Sequence, residues 1–247
     1  MSLKNSTMRL DKLLAHMGYG SRRDIARLVA LGAITLDGVD VTQADLKVEP
    51  GPALQEALEI EGERLDPLSG MVLLLNKPLG VTCSHKEVGP LVMSLLPERW
   101  RHRDPALSTV GRLDKETTGL LLLTDDGALL HRMISPRAGI GKTYHVTLAR
   151  PLDGREQALF ASGTLMLESE TTALKPAHFE PDGAQSGHLT LHEGRYHQAR
   201  RMFAALGNHV TALHRRSMGG LELPDSLAAG AWRLLGSDDV ARVFSKG

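Results

Sequence analysis

The chain has 247 residues, 42% of them hydrophobic and 4% aromatic, with no apolar run near the ~20 residues that a membrane-spanning helix needs, so a membrane role is not expected. Its 29 basic side chains balance its 29 acidic ones, which argues against a uniformly basic nucleic-acid binder. A net charge of zero is only a sum, however, and binding depends on how the charge is distributed.

Met1 to Ser6 lack the basic start and apolar stretch of a secretory signal, so the Asn5-Ser6-Thr7 sequon is read as chance. From Arg9 the pattern becomes compact. Leu13, Leu14 and Met17 fall at helical spacing, Gly18-Tyr19-Gly20 breaks the run, and Ser21 with Asp24 forms a capping box that starts a second helix. On that helix Ile25, Leu28 and Val29 share one face, while Arg23 and Arg27 project from the opposite one. By charge alone Arg22, Arg23 and Arg27 read as a solvated helix face. Ala33 to Leu36 and Val39 to Val41 flank Asp37-Gly38, a strong hairpin signal.

Leu65 to Gly70 has linker chemistry, and Met71 to Leu75 is a buried-strand run that opens a larger domain. The expected division is therefore 8–65 and 71–247. The single cysteine, Cys83, excludes an internal disulfide framework and fits a reducing cytoplasm. Beyond it, the apolar run 120–123 and the alternating run Tyr144 to Leu148 predict strands, and helical patterns surround Leu129 to Met133 and Arg200 to Leu206. The fold class is α+β.

Several motifs invite chemistry and do not support it. Gly139-Ile-Gly141-Lys142-Thr143 looks like the end of a phosphate-binding loop, but Pro136 stands where its first glycine belongs and a strand pattern follows in place of a helix. The histidines have no accompanying metal-ligand spacing, and no Gly-x-Ser-x-Gly elbow is present. Asp125-Asp126-Gly127 reads as a turn and helix N-cap. Asp114 and Glu116 lie in a polar loop that runs into a buried strand, where a scaffold can hold a carboxylate rigidly, and the residues alone do not choose between them. Between His192 and Arg216, five arginines (Arg195, Arg200, Arg201, Arg215, Arg216) and four histidines (His192, His197, His209, His214) face one acid, Glu193. That stretch is a candidate phosphate-contacting surface.

Two resemblances organise these observations. Arg9-Leu-Asp-Lys-Leu-Leu14, the Ser21-Arg-Arg helix and the Gly32 to Val41 hairpin resemble the S4 RNA-binding module, which implies RNA contacts for Arg9, Lys12, Arg22, Arg23 and Arg27. Gly111-Arg-Leu-Asp-Lys-Glu-Thr-Thr-Gly119 through Gly127, with Asn76-Lys-Pro78 before it, resembles the catalytic motif of the RsuA-type pseudouridine synthases. Ser135-Pro136, Lys142-Thr-Tyr144, Leu174-Lys-Pro176, Glu193-Gly-Arg-Tyr-His-Gln198 and Arg201-Met-Phe-Ala204 follow in the order that family shows.

The resemblance implies a small S4-like α/β module followed by a catalytic domain on a mixed, largely antiparallel sheet with flanking helices. It implies cofactor-independent isomerisation of uridine in RNA, in which the bond from C1′ to N1 breaks and one from C1′ to C5 forms. Asp114 would be the carboxylate against the ribose, as nucleophile or as base toward C2′. Tyr144 would be the active-site tyrosine against the displaced uracil, and Arg200 the cation paired with Asp114. Arg112, Leu113 and Leu213 match pocket positions, and Arg195, His197 and Arg201 become RNA-contacting candidates. Gly194-Arg-Tyr-His-Gln198 and Gly207-Asn-His-Val210 resemble the small-subunit (16S) ribosomal RNA branch more than the large-subunit (23S) branches. The implied partner is ribosomal RNA or an assembling ribosomal subunit, met by a cytoplasmic monomer without nucleotide or metal. The alternatives are the same chemistry on 23S RNA and a non-catalytic RNA-binding assembly factor.

Overall fold

A computed structural model describes residues 7–83 and 89–245; the sequon at Asn5 lies outside them. The chain forms two compact units. The first comprises the residues up to Met71 together with Leu96–Ser108 and Thr124–Gly127, and the second comprises Val72–Leu95, Thr109–Leu123 and the residues from Ala128 onward.

In the first unit the order is β1 (Met8–Arg9), α1 (Leu10–His16), α2 (Arg22–Ala30), β2 (Ile34–Leu36), β3 (Val39–Asp40), β4 (Lys47–Val48), α3 (Pro52–Ala57), β5 (Leu58–Ile60) and β6 (Glu63–Arg64). The capping box at Ser21 forms as its sequence predicts: the Ser21 Oγ accepts from the Asp24 amide and the Asp24 carboxylate accepts from the Ser21 amide. Periodicity then decides what α2 buries. Ile25 and Val29 enter the core with Leu10, Leu14, Met17 and Leu58, while Arg23 and Arg27 stay exposed. Each such fully buried Leu or Ile contributes about 1.5–3 kcal/mol. The Asp37-Gly38 hairpin closes with Leu36 opposite Val39, and β2 also pairs with β5.

Two ion-pair clusters complete this unit. Asp11, buried at the start of α1, accepts from Arg9 at 2.9 Å and from Arg22 at 2.9 Å. The Arg9 hydrogen bond, opposed by burial and helped by Arg22, holds its carboxyl below the usual carboxylate range. A depressed folded-state pKa stabilises the fold above the unfolded value of about 4, and that stabilisation is lost as pH falls through the folded value. Urea unfolding between pH 7 and pH 3 is therefore expected to show a smaller acid-induced loss in Asp11→Asn than in the parent, and an identical loss in both would remove this role. The second cluster binds Leu96–Ser108 to the unit. Arg99 grips Asp66 through Nε (2.5 Å) and Nη2 (2.9 Å), and its guanidinium lies over the Tyr19 ring. Arg103 meets Asp125 at 3.1 Å with both side chains buried, and Asp125 also accepts from the Gly70 amide at 2.7 Å. Asp125, two residues before α4 begins, is thus a buried structural carboxylate whose partner lies 22 residues earlier in the chain.

The second unit runs β7 (Val72–Lys77), β8 (Ser108–Thr109), β9 (Thr117–Thr124), α4 (Gly127–Ile134), β10 (Lys142–Leu148), α5 (Glu156–Ser162), β11 (His178–Gly183), β12 (Ser186–Leu191), α6 (Gln198–Ala205), β13 (Val210–Met218), β14 (Leu221–Glu222), β15 (Trp232–Leu234) and α7 (Ser237–Val243), with β8, β9 and α4 crossing the division at their ends. Among the described residues one nine-stranded sheet has the order β11-β12-β10-β13-β9-β7-β15, with β14 on β13 and β8 on β9. Its pairs are antiparallel at β10–β12, β10–β13, β11–β12 and β7–β15, whereas β13 and β9 run parallel. This is the expected mixed, largely antiparallel sheet. One core lies where α5 and α6 cover β10, β12 and β13, with Phe160, Phe179 and Phe203 edge to face. A second core gathers Leu74, Leu120, Leu122, Met133 and Met218. Lys142 begins a strand, so the apparent phosphate loop before it has no helix N-terminus to offer.

Candidate active site

The loop 111–117 precedes β9, and its carbonyls are caught one after another. The Asp114 carbonyl accepts from the Thr117 amide at 3.0 Å and the Lys115 carbonyl from the Gly80 amide at 3.0 Å. The Glu116 carbonyl accepts from Arg200 Nη2 at 3.1 Å, and the Thr117 carbonyl from Lys77 Nζ at 2.8 Å. Lys77 also reaches the Lys115 carbonyl at 3.4 Å. Its side chain is fully buried at the end of β7, and burial pushes its ammonium below the usual lysine range. A backbone tied at four successive residues leaves the Asp114 carboxylate few ways to move, which is the support a reacting group needs.

Asp114 lies on the wall of a cavity of about 600 Å³, within the range usual for ligand sites. Arg112, Leu113, Tyr144, Arg195, His197, Arg200 and Leu213 line the same cavity. Tyr144 reaches it from β10, beside a register shift between Thr143 and Tyr144 against β13; such bulges re-aim side chains. Leu113 and Leu213 are buried, and the Leu113 amide donates to Cys83 Sγ at 3.4 Å. The thiol is pushed up by its burial. The side chain beside Asp114 is His197, whose Nε2 is 3.5 Å from Oδ1.

The expected Arg200–Asp114 pair takes another form. Among the described residues no ion pair joins them; Arg200 donates to the Val210 carbonyl at 2.9 Å and to that of Glu116, so it holds the loop rather than the carboxylate. Two backbone carbonyls occupy its fork in place of the carboxylate.

The basic stretch is likewise less free than its composition predicts. Arg195 and Arg201 both bind Glu170, at 3.1 and 2.9 Å, and donate to the carbonyls of Ala173 and Glu168. Arg215 is buried on β13 with Nε on the Leu120 carbonyl, and Arg216 pairs with Asp225 at 3.2 Å. Arg195, Arg201 and Arg215 are thus tied to the fold and do not form the free phosphate-contacting face expected of them, whereas Arg216 stays exposed beside an exposed Asp225. In the N-terminal unit Arg9 and Arg22 share Asp11, whereas Lys12 and Arg23 are exposed and Arg27, 74% exposed, has only a 3.7 Å contact with Asp24. Sequence reasoning gave no role to Lys77 as the support of the loop, and it named Arg215 only as part of the basic stretch and Lys142 only within a motif, not as lining of the cavity. Only the quoted Asn76-Lys-Pro78 motif marked the first of them.

Comparison with known proteins accounts for this architecture. The RNA pseudouridylate synthase family model matches residues 71–205 and the S4 domain model residues 8–52. The chain is 40% identical to a ribosomal small subunit pseudouridine synthase A of Yersinia pestis over 96% of its own length and 98% of that protein. It is 40% identical to the protein of that name from Escherichia coli (strain K12) over 96% of this chain and all of that one. A crystal structure of a pseudouridylate synthase matches it with a TM-score of 0.66 at 35% identity, covering 96% of this chain and 99% of that chain. The chain therefore belongs to the RNA pseudouridylate synthase family and carries an S4 domain ahead of its catalytic fold.

Proposed function

We propose that this protein isomerises one uridine of small-subunit ribosomal RNA to pseudouridine, in the cytoplasm, as a monomer, with Asp114 as the reacting carboxylate. The observation that carries the reading is the four-point anchoring of the loop that presents Asp114 to a cavity shared with Tyr144. Breaking the bond from C1′ to N1 builds positive charge on the ribose, so a fixed carboxylate must meet the sugar at C1′ or remove a proton at C2′. The freed uracil then rotates and joins C1′ through C5, losing the C5 proton and gaining one at N1. Tyr144, on the same cavity, covers the uracil during that rotation and helps move the C5 proton. Arg200 and Lys77 act through the loop backbone and are positioning residues. Arg112, Leu113 and Leu213 shape the pocket. On the N-terminal unit Lys12, Arg23 and Arg27 are the cations free to meet phosphates, as RNA docking away from the reacting nucleotide requires.

Small-subunit RNA is preferred because the Tyr196-His197 pair and the relatives named above point to that branch. Deleting the gene and mapping pseudouridine on both ribosomal RNAs is expected to remove one modification from the small subunit and none from the large. Loss confined to the large subunit would transfer the activity there, and no loss from either would favour a binding factor without catalysis.

A further inference from the structure

Tyr196 is 72% exposed, an unusual position for a large aromatic side chain that contributes little to any core from there. Its ring nevertheless has a definite place. It stacks on the His197 imidazole with centroids 3.9 Å apart and planes 15° from parallel. His197 is itself fixed: it takes the left-handed conformation (φ 48°) as the residue before α6, and its Nε2 lies against Asp114. The backbone around the pair is tied on both sides. The Arg195 amide donates to Gln198 Oε1 at 2.9 Å, Gln198 Nε2 donates to Glu193 at 2.9 Å, and Arg201 Nη1 reaches the Tyr196 carbonyl at 3.3 Å. A rigid ring with one face covered by imidazole and the other open at the rim of the cavity is a surface for stacking, because every base offers a π-face and an ordered aromatic loses little entropy on binding.

We infer that the exposed face of Tyr196 is a stacking subsite for an unpaired nucleobase, that of the nucleotide adjoining the target uridine. The geometry separates it from the uracil site. Tyr196 stacks on His197, whose Nε2 in turn meets Asp114, so a base on the outer face of Tyr196 is linked to the reacting carboxylate through the imidazole and not in direct contact with it. Stacking there also holds His197 against Asp114. Tyr196 is thus a positioning and specificity residue, and the inference rests on the RNA-modifying reading proposed above.

The test uses the full chain carrying Asp114→Asn, so that no turnover occurs, and pentauridylates with 2-aminopurine placed on the 5′ or the 3′ side of the central uridine. Binding is expected to quench one of the two probes, since stacking on an aromatic ring quenches 2-aminopurine. Adding Tyr196→Ala is expected to abolish that quenching and weaken Kd by about 5–100-fold, the size of one base stack, while Tyr196→Phe keeps both. An unchanged thermal midpoint of Tyr196→Ala checks that the exposed site has not altered the fold. Quenching that survives Tyr196→Ala, a Kd within about twofold, a Phe variant that behaves like Ala, or no binding of either probe would each overturn the subsite. Failure of the broader reading looks different: the protein with Asp114 intact would form no pseudouridine while the Tyr196-dependent quenching remained.

Discussion

Asp114→Asn is expected to lower pseudouridine formation at least about a thousandfold while RNA affinity stays within about twofold. The amide has the shape of the carboxylate but neither its charge nor its nucleophilicity, so it can neither meet the developing positive charge of the ribose nor take a proton from it. Nothing else in the loop should move. Its carbonyls are held by Lys77, Gly80 and Arg200, none of which bonds the Asp114 side chain. The contact altered is the one to His197 Nε2 at 3.5 Å. Turnover can be followed as tritium released from C5 of labelled uridine in small-subunit RNA, and affinity by filter binding of the same RNA. Activity within tenfold of the parent would remove Asp114 from the reaction, and equal losses of affinity and activity would make it a binding residue.

Gly119→Ala is expected to lower the thermal midpoint by about 10 °C, corresponding to about 3–5 kcal/mol, and to lower activity with it. The residue lies on β9 with φ +102°, and a Cβ there would stand 2.3 Å from the Arg215 carbonyl oxygen and 2.7 Å from its amide nitrogen. Both are backbone atoms of β13, so no side chain can swing away. Gly119 pairs with Arg215 in the parallel β9–β13 contact, two residues after Thr117. Parting these strands to admit a methyl group would loosen the sheet below the loop that carries Asp114. Calorimetry measures the first effect and steady-state rates the second. A midpoint within about 2 °C of the parent would show that the strands separate cheaply.

Much of the fold was legible because the signals are local. Ser21 and Asp24 are three residues apart, the Asp37-Gly38 turn needs only its own backbone, and the alternation from Tyr144 to Leu148 states a strand without reference to any partner. The loop presenting Asp114 was legible by motif, yet the residues alone left Asp114 and Glu116 equal. In the structure they differ: Asp114 faces the cavity beside His197, whereas Glu116 contributes its carbonyl to Arg200.

By itself the sequence determined the elements with local signals, the order of the motifs and the residue types the chemistry needs, since helix caps, turns and hydrophobic periods act over a few residues. Only the tertiary structure decided which charges are free. Arg195 and Arg201 close on Glu170 from 25 and 31 positions away, Arg103 on Asp125 from 22, and Lys77 reaches 40 residues forward to the Thr117 carbonyl. A count of arginines along the chain cannot anticipate such partners. Burial removes the water that would otherwise satisfy a carbonyl or a carboxylate, so each buried acceptor takes whichever cation the fold brings within reach, whatever its distance in sequence.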